Sequence, residues 1–598
     1  MDLELEKNIN DTIEYLKKIS DDKLDFKLMD PIAKMMLVSL LYESQKIKDY
    51  IDGSGEKITE KFCEDFIPRR EVEAMPALAI IEAKFKPKKD LESITIGNNA
   101  LFTYKLDDNK TLVNYIPIFN TLCIPYQNLY VLNQNKLYVE DKVYEVTQEK
   151  SNYIWLGINT KTEVESLQGL SLFITGTNGV LPKHIYVGAE DYRLEYADMS
   201  RIEDIDFVEP FDAQQSSSQF FSIIENWKEY LTNMRDKSLI YITDNKKDRD
   251  TFQWRAFPKV FEKWVYDEDL KAFKENTIWL KFEFPDDYII PETISISINA
   301  LPVTNVDINN VTLTQISPIA KLQKQENSYF LQIIETSNIS NKQGFNMSNE
   351  DIIVRDFDAS CYHKGDLYRD VRSMYNHFID DYYAFIEYNG IKDGESIKHL
   401  RDLINRIGKS VGTYNSKFNF DSGTYVMKNM NQYDSHSSTV KVSFATTLGK
   451  LGNKPAAFEK MENKKLPSVE KDVNVLVGGM GGTDKASVDE RYENLRYYSL
   501  TNDRLFTKKD IEAFLRKEII TEFGKEEFKR IFINLNIEGA AGATKLERGL
   551  YITIKFKDKK NYEKAKNTSF KHRIYQKIVN RSCISMPIIV KLLDINGN

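Results

Sequence analysis

The side chains best suited to hold a metal or attack a substrate are six histidines, His184, His363, His377, His399, His436 and His572, and four cysteines, Cys63, Cys123, Cys361 and Cys583. No histidine lies in a His-Glu-x-x-His or His-x-Glu pattern. Cys361-Tyr362-His363 would put two ligands on one face of a strand, but no second pair follows at the spacing of a tetrahedral zinc site. No Gly-x-Ser-x-Gly elbow supplies a serine nucleophile. Asp286-Asp287 and Asp380-Asp381 imitate paired glycosidase acids, yet adjacent carboxylates point to opposite faces of a strand or diverge on a helix. Trp254, Phe257, Phe261 and Trp264 could stack on sugars, but steps of three, four and three fit the buried face of a helix. Gly478 to Ser487 loosely copies a phosphate-binding loop. It lacks the contiguous Gly-Lys-Ser/Thr, and Asp484 puts a carboxylate where phosphate charge would sit. The expectation is a protein with no catalytic, cofactor or metal site.

The elements around these residues are read from periodicity. Residues 1–75 read as helical: Leu5, Ile9, Ile13, Leu16 and Ile19 form a stripe, and Asp30-Pro31 supplies an N-cap and a first-turn proline. The helix that follows is apolar on nearly every side from Ile32 to Tyr42, so a partner or the body of the protein must cover it. From Pro76 the pattern turns to strand-length apolar runs, Ala77 to Phe85, Tyr153 to Ile158, Leu170 to Thr175, Ile278 to Phe284 and Ile294 to Ile298, separated by turn residues. These indicate β-rich, sandwich- or barrel-like domains at 76–215 and 216–345, divided by a linker at Ser216 to Ser218 before a helix from Phe220 to Leu231. Residues 346–440 read as mixed, with helical candidates at Leu367 to Phe378 and Ser396 to Ile407 and a loop or boundary from Lys409 to Ser438.

Residues 441–598 read as an α+β module. A flexible Gly478-Gly479, Gly481-Gly482 turn precedes two capping boxes, Ser487 with Glu490 and Thr507 with Asp510, the second with a Phe506–Ile511 staple. Val488, Tyr492 and Leu495 recur at helical spacing in the first helix, and Ile511, Phe514, Leu515, Ile519 and Phe523 in the second. Ile531 to Ile537 and Gly549 to Phe556 alternate with period two and should pair. The fold class is therefore α+β and multidomain.

Composition bounds the function. A net charge of −8 and a pI near 5.6 argue against general nucleic-acid or anionic-membrane affinity. The Lys84 to Lys89 cluster reads as a solvated strand end. The N-terminus has no signal-peptide core, and the longest apolar run, Met35 to Tyr42, is too short to insert in a bilayer, so a cytoplasmic protein with reduced core cysteines is expected.

Three segments carry a family resemblance. Gly478-Gly479 through Asp484, a helix, Arg504-x-x-Thr507-x-x-Asp510 and a second helix resemble the C-terminal module of baseplate J-like wedge proteins of contractile phage tails. Asp30-Pro31, Thr59-Glu60, Pro68 and Met75-Pro76-Ala77-Leu78-Ala79-Ile80-Ile81 resemble the N-terminal signature of TssF, a type VI secretion baseplate subunit. Pro302-Val303-Thr304-Asn305-Val306 with Pro318-Ile319 resembles that family's Pro-Val-Val-Asn-Leu stretch, with a strand break expected at Pro302 and a self-bonded turn at Asn305. Arg69-Arg70 stands where the family has His-Tyr, and Thr304 where it has valine, so the chain resembles a divergent TssF of Bacteroidetes type.

The resemblance implies a non-catalytic wedge subunit that joins a second TssF copy, TssG and TssE around the VgrG spike, with TssK linking the platform to the inner-membrane complex. On that reading Ile32, Met35, Met36 and Leu40 would face TssG. Val488, Tyr492, Leu495, Ile511 and Phe514 would contact a neighbouring copy, unless these faces are ordinary intrachain core. A phage-tail or extracellular contractile particle is the alternative. A β-rich carbohydrate-binding protein is a reading from another class.

Overall fold

The computed structural model describes residues 62, 66–86, 91–106, 111–139, 142–145, 151–161, 164–177, 179–188, 192–198, 201, 204–208, 211, 218–232, 237–243, 257–258, 261, 276–314, 317–322, 327–338, 352–357, 398–399, 402–403, 406, 423–428, 439–538, 548–567, 570–583 and 586–594. Asp30, Pro31, Ile32, Met35, Met36, Leu40, Thr59, Glu60, Cys361, His363 and the Asp380-Asp381 pair lie outside them, as does the side chain of Val488. The chain divides into two compact units, one made of residues up to Asn305 and from Gly449 onward, the other of Val306–Leu448.

In the first unit, a sandwich packs a four-stranded sheet (Tyr196–Asp198, Lys237–Ile242, Ser171–Thr175, Ser295–Ile298) on a seven-stranded one. Period-two alternation decides what each face buries. Ile154, Leu156 and Ile158 of the Tyr153–Asn159 strand and Ile278, Leu280 and Phe282 of the Thr277–Glu283 strand join Leu172, Ile174, Ile240 and Ile298 in one core. The alternate residues Trp155 and Trp279 turn to the other face, where Tyr130, Phe257 and Phe261 cover them. Phe261 meets Trp279 edge-on at 4.7 Å, so the aromatic steps seen in sequence pack against a sheet; Trp254 and Trp264 lie outside the described residues. The strand at 277–283 pairs with the strand at 153–159, so these sheets do not follow a division at residue 215. Helix Ser218–Thr232 falls where the Phe220 to Leu231 helix is expected.

A closed six-stranded barrel follows the order Leu78–Glu82, Ala300–Thr304, Leu112–Pro117, Phe102–Lys105, Lys460–Asn463, Asp472–Met480. Asn299, at φ 56°, turns the chain from the sandwich into the barrel. It is fully buried, and its amide is held by the Ile124 backbone on both sides (Ile124 N–H to Oδ1 and Nδ2 to Ile124 O, 2.9 Å each).

The C-terminal module of the same unit has helices Val488–Thr501, Lys508–Phe523, Lys559–Asn567 and Phe570–Arg581 on a three-stranded sheet. Ile531–Glu538 pairs antiparallel with Gly549–Phe556, as the alternation requires, and Ile588–Leu593 adds in parallel after the two-helix crossover.

The second unit holds two three-stranded sheets around Leu313, Val426, Val442 and Phe444. Its strand Gly423–Lys428 lies inside the stretch expected to be a loop; Thr424 and Val426 alternate inward, a pattern hidden by flanking Gly, Asn and Ser. Pro318, half-buried, precedes the short strand Ile319–Lys321. Cys123 is buried, but Cys583 is exposed, contrary to the expectation of core cysteines throughout.

Gly157 sits opposite Trp279, and a Cβ there would lie 2.8 Å from the indole ring. Gly157→Val should destabilise the protein by about 1–3 kcal/mol through overpacking, read as a lower midpoint in chemical denaturation.

Candidate assembly joint

One stretch from each of the three resembling segments, hundreds of residues apart, meets at the strand Leu78–Glu82, while Pro318-Ile319 lie in the other unit and the two capped helices in the C-terminal module. One edge of that strand pairs with Ala300–Thr304 and the other with Asp472–Met480. Around its start, Met75 and Thr483 exchange backbone bonds of 2.9 and 3.0 Å. The Ala77 carbonyl accepts from the Asn305 N–H at 2.8 Å and from the Thr304 hydroxyl at 3.0 Å.

Proline 302 does not break its strand; it sits opposite Ile80 inside the barrel. Its carbonyl accepts the Ile118 N–H at 3.0 Å, but its ring nitrogen has no proton to return. The Ile118 carbonyl takes the Val208 N–H instead, also at 3.0 Å, so no barrel carbonyl is stranded there. The Asn305 Nδ2 donates to the Asn114 carbonyl at 2.8 Å, reaching a neighbouring stretch of the barrel. Pro68 (φ −56°, ψ 134°) ends the helical residues at 66 and caps the short turn Arg69–Glu71, and Pro76 precedes the first barrel strand.

The glycine block is no flexible turn. Gly478 and Gly479 are in the strand Asp472–Met480, pressed on the chain at 452–457; a Cβ on Gly478 would lie 2.7 Å from the Pro455 carbonyl, and one on Gly479 would collide with the Gly452 carbonyl. Asn453 clamps Gly482 with two bonds, Nδ2 to its carbonyl at 2.7 Å and its N–H to Oδ1 at 2.9 Å. The Asp484 carboxylate accepts the Lys450 N–H at 2.9 Å and so closes the turn Gly449–Asn453. Gly481, at φ +77°, lies against the Tyr230 ring, and its carbonyl accepts Asn226 Nδ2 from the helix 218–232 at 3.2 Å.

Both capping boxes form, at Ser487/Glu490 and Thr507/Asp510. The faces behind them differ from expectation. In the first helix Tyr492 is 58% exposed and Leu495 half-buried, while Glu493, Asn494, Tyr497 and Tyr498 are buried. Polar tips made that face invisible to an apolar count: Glu493 takes a two-pronged bond from Arg516 at 2.8 Å, and Asn494 donates to the Glu71 carbonyl at 2.7 Å. Ile511 and Phe514 lie in the module's own core, the intrachain alternative, whereas Tyr492 and Phe506 are exposed. Phe506 is 63% exposed, so the expected staple does not bury its ring.

Charges join the module to the barrel entry and to the helix 218–232. Arg70 reaches Glu229 (3.3 Å) and Asp503 (3.7 Å); Arg581 reaches Asp503 (2.9 Å) and Glu229 (3.6 Å). Beside them Lys517 reaches Glu71 (2.8 Å) and Glu518 (3.7 Å), and Lys577 reaches Glu518 (2.8 Å). Burial raises the Glu71 pKa, but Lys517 and Lys577 outweigh it and hold the carboxyl at about 2. Sequence periodicity could not reveal this cluster, whose members are scattered from 70 to 581.

Residues singled out for chemistry fall elsewhere. Asp286 is exposed in a turn, accepting from Asn152 Nδ2 at 2.9 Å, and His184 sits on a sheet strand beside Tyr186. Among the described residues no three His, Cys, Asp or Glu side chains group to hold a metal, and no helix is long and apolar enough to cross a membrane.

No protein-family model matches the sequence, and no curated protein does. Among solved structures, a chain of the type VI secretion TssK–TssF–TssG baseplate subcomplex aligns over 95% of this chain and 97% of its own, at 9% identity and a TM-score of 0.40. A chain of the type VI baseplate complex aligns over 92% and 89%, at 11% identity and 0.33. One from the anti-feeding prophage baseplate aligns over 95% and 68%, at 8% identity and 0.26. At these values the alignments by themselves assign no role.

Two outcomes follow from the geometry. Gly479→Ala should lower stability by about 1–3 kcal/mol, because the new methyl meets backbone that cannot swing aside; thermal melting measures it. The folded-state pKa of Glu71 lies below its ordinary 4.5, so its contribution is full above that value and is lost as pH falls toward about 2. Glu71→Gln should flatten stability against pH across that window, measured by urea titration at several pH values.

Proposed function

We propose that this chain is a structural wedge subunit of a contractile injection baseplate, built like TssF and working by being gripped between partners. The supporting observation is the convergence of Met75-Pro76-Ala77, Pro302 to Asn305 and Gly478 to Asp484 on one barrel strand. Three stretches that each resemble baseplate proteins thus come together in one joint of this fold. The partners on this reading are a second copy, a TssG-like and a TssE-like subunit, the VgrG spike and TssK, in a baseplate docked from the cytoplasm on the inner-membrane complex. The two-box C-terminal module, which resembles baseplate J-like proteins, keeps a phage-tail or extracellular particle as the second reading. A neighbouring gene for a TssK-like adaptor distinguishes the two.

Co-expression with neighbouring open reading frames should give a complex whose measured mass includes a TssG-like subunit. Met36→Glu with Leu40→Glu should abolish that co-purification while the C-terminal half stays folded. A chain that purifies alone as a monomer beside every neighbouring gene product overturns the proposal.

A further inference from the structure

The eight charges at the module's boundary fall into two alternating groups, and the way they divide between the two sides has a mechanical meaning. In the first group Arg70 and Glu229 belong to the barrel side, Asp503 and Arg581 to the module. Each side holds its own neutral pair, at 3.3 and 2.9 Å, and the contacts across the boundary are the longer ones, at 3.7 and 3.6 Å. In the second group Lys517, Glu518 and Lys577 are all on the module, and Glu71 alone comes from the barrel side. Breaking a buried ion pair is costly when it strands a charge. Parting these groups along the boundary strands none in the first; in the second it leaves Lys517 with Glu518 but separates Glu71 from its cation, so the clean division lies in the first group.

Other bonds across the boundary converge on Glu71: Asn494 Nδ2 donates to its carbonyl at 2.7 Å and the Tyr498 hydroxyl to its carboxylate at 3.3 Å. From the barrel-entry segment only Ile67 and Val72 join the module's apolar cluster among the described residues. The Ala486 N–H donates to the Val72 carbonyl at 2.9 Å, and residues 484–487, which lead into the module, are neither helix nor strand. By contrast the module has a core of its own, from Tyr497 through Phe514 and Ile552 to Ile578.

We infer that the C-terminal module, residues 488–594, is a hinged lobe held on the barrel by a divisible ionic clasp, able to swing about residues 484–487 without unfolding. The hinge this provides goes beyond the assembly proposed above and does not depend on it.

The alternating square supplies its own test in the full-length protein. Exchanging Arg70→Glu with Glu229→Arg keeps the barrel side's pair but turns both cross-boundary contacts, to Asp503 and to Arg581, into like-charge contacts. Adding Asp503→Arg with Arg581→Glu restores opposite charges at every contact. Hydrogen exchange at the Ala486 amide should accelerate at least tenfold in the double exchange and return toward the original rate in the fourfold exchange. The strand Gly549–Phe556 should keep its protection in both. Equal acceleration of Ala486 and of Gly549–Phe556 would show that barrel and module unfold as one body, and an unchanged Ala486 would show that the charges hold nothing; either result overturns the clasp.

Discussion

The strand Leu78–Glu82 must satisfy its backbone on both edges, and it is fully buried along its length. A buried peptide group without a partner costs about 1–3 kcal/mol, so this strand compels chain from around residue 300 and from around residue 475 to lie beside it. The rest of the barrel follows from that demand. Pro302 shows how strictly the demand is met: where a proline removes a donor, the Val208 N–H takes its place. Gly478, Gly479 and Gly482 let neighbouring backbone approach too closely for any side chain.

Two kinds of joint therefore coexist. At the barrel, backbone bonds and close glycine contacts hold the chain where added side chains would not fit. At the C-terminal module the boundary is polar, with carboxylates and cations from five separate stretches of chain neutralising one another. Apolar interfaces gain from area alone, whereas charge networks gain only in the right registry. The first joint fixes shape, and the second fixes one orientation of a lobe.

Much of the fold was legible in sequence because burial imposes periodicity. Tyr153 to Ile158, Ile278 to Phe284, the Ile531 and Gly549 strands and both capping boxes all appear where spacing placed them. What spacing hid has physical causes. Pro302 reads as a breaker because nothing local reveals a donor at Val208. The glycine block reads as a flexible turn because glycine permits both freedom and close approach, and only the third dimension tells which. The buried face of the first C-terminal helix carries Glu493, Asn494 and two tyrosines, which an apolar stripe cannot detect until Arg516 and Glu71 are placed beside them. The convergence of three motifs on one strand was not legible at all, since each motif was read within its own stretch.

The distance along the chain between Glu82 and the strand beginning at Asp472 sets a schedule for the newborn polypeptide. At about 5–20 residues per second, a ribosome needs on the order of tens of seconds to deliver the second edge partner after the first strand has emerged. Throughout that wait the wholly apolar stretch Leu78 to Ile81 lacks at least one of its two edge partners. An unpaired edge is a template for any other strand with a free edge, so the same closure that completes the finished barrel exposes the half-made chain to mispairing until its second partner arrives.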